Sequence, residues 1–297
     1  MDVERTQARL ENAQTVEPIL GALRTISLGT WQSAASRLVG LKEITREYYE
    51  ILGSLAPVLE SPSEKNRKKR QSNMEKNAIH NKKIVLLVGT ERGLCGRLDQ
   101  DLISYVEEVY PDGLQPATIE LFVVGGRLGK AVRKQLMQPD AILSSSSTAL
   151  PNYPEVFQLT KKWIQRIGSG ELSCVEVIFQ AFHGATHHEP VRIQLLPYEL
   201  KIDDTLENEN WPPPIIETNA AQLFMRVYEQ LAALRLYDAL LQAKASIHAA
   251  RYQLMEDSTK NAERLIEDLT VILQTERRQS ITREMQELAI GAGLLQE

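Results

Sequence analysis

The chain has 297 residues, a net charge of -5 and two cysteines, Cys95 and Cys174. That length provides for one large or two modest domains, and the charge balance gives no general case for nucleic-acid binding. Two cysteines make no disulfide framework, so a reducing compartment is the expectation. The opening MDVERTQARL is polar, unlike a secretory signal. The longest apolar runs fall far short of the ~20 residues that span a bilayer.

Residues from about Thr6 to Leu59 read as helix, with a seam at Val16, Leu20, Leu23, Ser27, Thr30, Ala34, Leu38, Leu41, Thr45, Tyr48, Leu52 and Leu55. The four-three alternation slips once, between Ala34 and Leu38, as in a stutter. Pro18 removes a helical hydrogen bond, which predicts a kink there or a helix that starts near it. Ser27, Thr30 and Ala34 are small, which suits close packing or rotation against another protein's surface. Pro57, Pro62 and the basic run Lys65 to Arg70 close the segment and read as a solvated linker.

The pattern changes from Lys82. Ile84 to Val88 is a continuous apolar run, as in a strand buried on both faces. After the turn GTERGLCG (Gly89 to Gly96), Leu98 to Val109 reads as helix and Ile119 to Val124 as strand. A helix follows near Leu128 to Met137, then a short strand at Ala141 to Leu143 and a helix at Pro154 to Ile167. Ser173 to Ala181 and Val191 to Leu196 read as strands joined by a turn near Gly184. This alternation predicts a parallel sheet with helices on its faces and a hairpin at one edge, a Rossmann-like α/β domain. The acidic, proline-rich stretch Tyr198 to Ile216 is expected to be a surface loop. The segment from Asn219 onward has no proline, and its only glycines are Gly291 and Gly293. Its seam of Leu241, Ala245, His248, Tyr252, Met255, Thr259, Ala262, Ile266, Leu269 and Leu273 averages near 3.5 residues, the spacing of a left-handed coiled coil. So narrow a stripe needs a partner helix, and the N-terminal helix offers one. The expected fold class is therefore α/β, with a long antiparallel coiled coil of the two terminal helices plus the Rossmann-like domain. The expected division is residues 1–60 and 217–297 for the coiled coil, 80–197 for the α/β domain, and 61–79 and 198–216 for linkers.

Candidate chemistry is sparse. VVGGRLGKAV (Val123 to Val132) places glycines and Lys130 after a strand, where a helix N-terminus could cradle phosphate. It lacks both the G-x-x-x-x-G-K-[ST] order and the G-x-G-x-x-G spacing, so no nucleotide or other cofactor is expected. His183, His187 and His188 could bind zinc, but on a turn between strands an exposed loop is the expected reading. Cys95 has no evident His/Asp partners for nucleophilic chemistry, and no catalytic or metal-binding residues are expected.

The run from Ala245 to Leu295 resembles the C-terminal helix of the γ subunit of F-type ATP synthases. The matches are His248-Ala249-Ala250-Arg251, Asn261-Ala262, Arg278-Gln279, Ile281-Thr282 and Glu284. Arg92-Gly93-Leu94-Cys95-Gly96 resembles that family's D-R-G-L-C-G, with Glu91 in place of the Asp, and Glu189-Pro190-Val191 matches its E-P-V. The resemblance implies a non-catalytic central-stalk subunit that couples proton-driven rotation to ATP synthesis or hydrolysis. Its implied partners are the α and β subunits of the catalytic ring, the ε subunit and the c-ring. It would be peripheral on the cytoplasmic face of a bacterial plasma membrane, or a thylakoid-type face, reaching the membrane only through partners. It further implies that Arg278 and Gln279, with Arg24, Ile281 and Thr282, contact a β subunit. Arg92 to Gly96 would form a scaffold turn with a structural thiol, and His248 would be a packed seam residue. The chain lacks cysteines between Leu196 and the long helix, so thiol control of the chloroplast type is not expected. It departs from the family at Gly29 and Thr30 in the first helix, at Ile247 where the family has Glu, and across Trp211 to Ile216. These departures describe a divergent γ, of the main or an alternative (N-type) rotary ATPase, or a γ-like paralogue. A γ-like adaptor that binds the ring without rotating, and a stand-alone α/β enzyme with a coiled-coil arm, are the alternative readings.

Overall fold

The computed structural model describes residues 3–59, 82–144, 146, 148–184, 186–198 and 216–291. The basic run Lys65 to Arg70, the acidic stretch from Asp203 to Glu209 and the prolines 212–214 lie outside the described residues. In chain order the elements are α1 (Val3–Leu59), β1 (Lys82–Val88), α2 (Leu98–Val109), β2 (Ile119–Val124) and α3 (Gly126–Gln135). These are followed by β3 (Ala141–Leu143), α4 (Tyr153–Gly168), β4 (Leu172–Phe182), β5 (His188–Leu196) and α5 (Ala220–Gly291). The chain is α/β and divides into two compact units, residues 28–250 and residues 1–27 with 251–297.

The larger unit is built on a five-stranded sheet of order β3-β2-β1-β4-β5. β1 pairs in parallel with both β2 and β4, β2 pairs in parallel with β3, and β4 with β5 forms the antiparallel hairpin at one edge. The apolar run Ile84 to Val88 is buried along its whole length because β1 is the central strand. Alternation along the strands sends Val85, Leu87, Leu121, Val123 and Ile178 to one face, under Leu102, Ile103 and Val106 of α2 and Leu128 and Val132 of α3. Ile84, Leu86, Val175, Val177 and Phe179 face the other way, against Trp163 of α4, Leu38 and Leu41 of α1 and Leu231 to Ala245 of α5. Arg37 Nη1 donates to the Tyr237 hydroxyl at 3.1 Å, tying α1 to α5 within this unit.

A narrow seam does not describe α5 here. Leu231 to Leu234, Leu236, Tyr237, Ala239, Leu241 and Ala243 to Ala249 are all buried, so the helix is enclosed on almost every side. Its many alanines explain why: they carry little hydrophobic signal in the sequence, yet they admit close neighbours all round.

The smaller unit is an antiparallel helix pair. Arg24 Nη1 meets Glu256 Oε2 at 3.0 Å, and Arg277 Nη2 donates to Gln7 Oε1 at 3.3 Å, so rising numbers in α1 meet falling numbers in α5. Met255, Thr259, Leu269 and Leu273 are buried on the α5 side. On α1 the expected seam slips: Val16 is 47% exposed. The inward positions are Thr6, Leu10, Ala13, Glu17, Leu20, Arg24 and Ser27, buried or half-buried at unbroken four-three spacing. The heptad is carried through by small and polar residues, which a search for apolar positions passes over. α1 runs without interruption from Val3, so it does not start near Pro18. Pro18 has no N–H to give, and Gly21 and Gly29 weaken the helix by about 1 kcal/mol each, leaving packing to hold the segment helical.

Candidate functional site

The residues that the sequence marks for partner contact fall in two places. Arg278, Gln279, Ile281 and Thr282 are exposed near the end of α5, and Ile281 is 57% exposed. The Thr282 hydroxyl donates to the Arg278 carbonyl at 2.8 Å, one turn back. Around them the helix presents Met285, Leu288 and Ile290 to solvent as well. Arg24 is not part of this group. It pairs with Glu256, 22 residues earlier in the same helix, which is about 33 Å along the axis at 1.5 Å per residue. Glu256 also receives Lys260 at 3.1 Å. These two cations, Lys260 foremost through its hydrogen bond, hold the Glu256 carboxyl below the usual range.

The turn after β1 is the most constrained stretch of the larger unit. Leu94 has φ of 67° and is half exposed, a left-handed conformation that costs a residue with a Cβ. The Cys95 thiol is buried and points back at the Gly93 carbonyl, 3.5 Å away, in a small apolar cluster with Leu98, Ile247 and Ala250. Ile247, which stands where a Glu was expected by resemblance, fits this cluster because its surroundings are apolar. A Cβ on Gly93 would lie 2.4 Å from Arg127 Nη1, so the turn packs against α3. Arg92 and Gly96 complete it, Gly96 with φ of 62°. The thiol is thus enclosed.

Beside this turn lies the gap between the carboxyl ends of β1 and β2; in the order β3-β2-β1-β4-β5 the chain reverses between β1 and β4, so this gap is not the usual ligand crevice of an open α/β sheet. Here it is filled from within. Glu91 Oε2 accepts the Gly126 N–H at 2.9 Å, placing a carboxylate at the N-terminus of α3. Asp99 accepts the Thr90 backbone N–H at 3.0 Å and the Thr90 hydroxyl, with Arg127 Nε 3.9 Å away. Burial pushes the Asp99 carboxyl up, against the pull of those bonds. Gly125, with φ of 114°, closes the gap: a Cβ there would sit 2.7 Å from the carbonyl oxygens of Gly89 and Thr90. Glu91, Thr90, Asp99 and Arg127 were not singled out as a group from the sequence. The signal available was a carboxylate three residues after one strand and a glycine pair directly after the next.

The histidines of the β4–β5 hairpin do not converge. His183 Nε2 bonds Glu189 Oε1 at 2.9 Å and its ring lies 5.6 Å from that of His187. His188 turns inward with both ring nitrogens buried, and burial holds it below the ordinary histidine range. Among the described residues no group of three or more His, Cys, Asp or Glu could hold a metal ion. His248 lies buried on the α5 seam.

A family model described as ATP synthase matches residues 2–295. The ATP synthase gamma chain of Moorella thermoacetica is 25% identical over 290 residues, covering 97% of this chain and 96% of its own. That of Ureaplasma urealyticum is 23% identical over 306 residues, covering 98% and 99%. Among solved structures, a chain of the Euglena gracilis mitochondrial ATP synthase (OSCP/F1/c-ring, rotational state 3) superimposes with a TM-score of 0.62 at 15% identity. That match covers 99% of this chain and 96% of the other.

Proposed function

We propose that this chain, which belongs to the ATP synthase γ family, works as the central-stalk subunit of an ATP synthase, and the family match over residues 2–295 carries that reading. It associates with the ATP synthase complex. No helix among the described residues is long and apolar enough to cross a membrane. In the finer reading, residues 1–60 and 217–297 form the shaft and 80–197 the base. The shaft turns within a ring of α and β subunits, and the base joins ε and the c-ring on the cytoplasmic face of the membrane. No bond is made or broken by the chain itself. A rotor biases each β subunit only as far as it contacts the open and closed forms unequally. The exposed Arg278, Gln279, Ile281 and Thr282 supply polar and apolar contacts for that purpose. Arg24, which also pairs with Glu256 in the helix pair, is the fifth residue of that contact, and Arg92 to Gly96 act as scaffold.

Affinity purification of the tagged chain from native membranes tests this. Recovery of α, β, ε and c subunits together is the expected result. A soluble homodimer with none of them overturns it, and recovery of α and β without ε and c would identify a ring-bound adaptor instead.

A further inference from the structure

A second concavity lies in the larger unit. It is a cleft of about 800 Å³ between α4, α5 and the ends of β1, β2 and β3. Its floor and walls are Leu86, Val124, Leu150, Leu159, Leu236 and Leu240. Protein interiors close to the density of organic crystals, and voids much larger than a water molecule are few. This cleft is no such void, since it opens to solvent, and its shape depends on how its walls are tied to one another.

They are held at two points. The Lys244 ammonium, on α5, donates to the Ser146 carbonyl of the β3–α4 connection. On the α4 side, the Tyr153 hydroxyl donates to Gln230 Oε1 of α5 at 2.6 Å, and the Tyr153 ring stands edge-on to Tyr237 with centroids 5.5 Å apart. The cleft is thus pre-formed, which is the usual condition of small-molecule sites: 300–1,000 Å³, apolar walls and a few placed polar groups. Polar groups stand only at the rim. Lys162 is exposed there and forms no ion pair among the described residues. Glu155, at the other end of the same helix face, accepts from Asn152 Nδ2 at 2.9 Å.

We propose that this cleft binds a small amphiphilic carboxylate, its hydrocarbon body between Leu159 and Leu240 and its head group at Lys162. A lone ammonium serves a single negative charge as a point partner. The N-terminus of α4 opens on the same rim at Asn152 to Glu155, where helix N–H groups favour a negatively charged head group. The cleft shares no lining residue with the Glu91, Thr90 and Asp99 group, although Val124 on its wall directly precedes Gly125. It touches α5 directly, so an occupant would bear on the helix that carries the exposed Arg278 and Gln279.

Isothermal titration of the full chain with decanoate tests the site. Saturable binding at one equivalent is expected, weakened at least fivefold by Lys162→Glu and removed by Leu240→Trp, which fills the floor. Leu143→Trp, at the more exposed mouth, fills the cleft independently should Leu240→Trp fail to fold. Ile281→Ser with Leu288→Ser, on the exposed helix end, should leave binding unchanged. Absence of saturable binding at millimolar decanoate overturns the proposal. So does equal binding by all the cleft variants, or binding lost in the helix-end variant.

Discussion

Arg278 and Gln279 stand where the buried seam of α5 has ended, five and six residues beyond Leu273. On an isolated helix they would be a solvated face. Within a ring, an exposed guanidinium can donate a planar fork to carboxylate or carbonyl groups, and charge-assisted bonds of that kind are the strong ones. Arg278→Ala with Gln279→Ala should therefore lower ATP-driven turnover of the assembled complex about tenfold, roughly 1.4 kcal/mol of barrier. Assembly should survive, because neither side chain packs within the helix pair. Unchanged turnover in a fully assembled double mutant would remove the pair from the contact. Gly125 makes the opposite case, a residue whose role is internal. Gly125→Ala sets a Cβ against two carbonyl oxygens at a φ of 114° and should destabilise the chain by about 3 kcal/mol or more in urea unfolding. Gly96→Ala, at φ of 62° with open space around it, should cost about 1–2 kcal/mol. Equal losses at the two sites would argue that the close approach at Gly125 relaxes freely.

At the scale of elements, the strands were legible because β1 is central and reads as an unbroken apolar run, while β4 and β5 keep turn residues between them. α2, β2 and β3 fall at the bounds that the sequence indicates. Two features were hidden, both for the same physical reason. Burial in a close-packed helix depends on how near a neighbour can come, and small residues permit that without appearing hydrophobic. Ala232, Ala233, Ala239, Ala243 and Ala249 made the enclosed part of α5 look like a stripe, and Ala13 was overlooked in favour of Val16. The exposed residues Arg278, Gln279, Ile281 and Thr282 carried no local signal; only the resemblance marked them, together with Arg24, which pairs with Glu256. The helix pair itself can be tested through its buried side. Met255→Ala should cost about 2–5 kcal/mol, the usual range for a buried Met, whereas Val271→Ala, at 64% exposure, should stay within about 0.5 kcal/mol. Comparable effects at both positions would mean that this seam does not hold the pair together.

At the scale of the whole molecule, the carboxyl ends of β1 and β2 are bridged by the chain's own Glu91. Glycines at the strand ends survive as tight packing devices: Gly125 lets β2 approach the turn after β1. The full chain should give flat calorimetric titrations with ATP and with NAD. Micromolar binding that disappears in Lys130→Ala would show that α3 receives a phosphate after all. Flat titrations together with decanoate binding would separate the two concavities by chemistry, one closed by the chain and one open to an outside ligand.

Glu91 at the N-terminus of α3 has a thermodynamic consequence. It is a ligand tethered to its own receptor, and its local concentration far exceeds that of any free anion. Inorganic phosphate therefore has no vacancy to fill, and at constant ionic strength it should leave the melting temperature of the natural chain where chloride does. Glu91→Ala removes the tethered competitor and turns an intramolecular contact into a binding equilibrium. That variant should start less stable and regain stability as phosphate rises, by about 1.4 kcal/mol when the anion reaches ten times its dissociation constant. Identical phosphate dependence in the two proteins would show that the carboxylate was never holding the place of an anion.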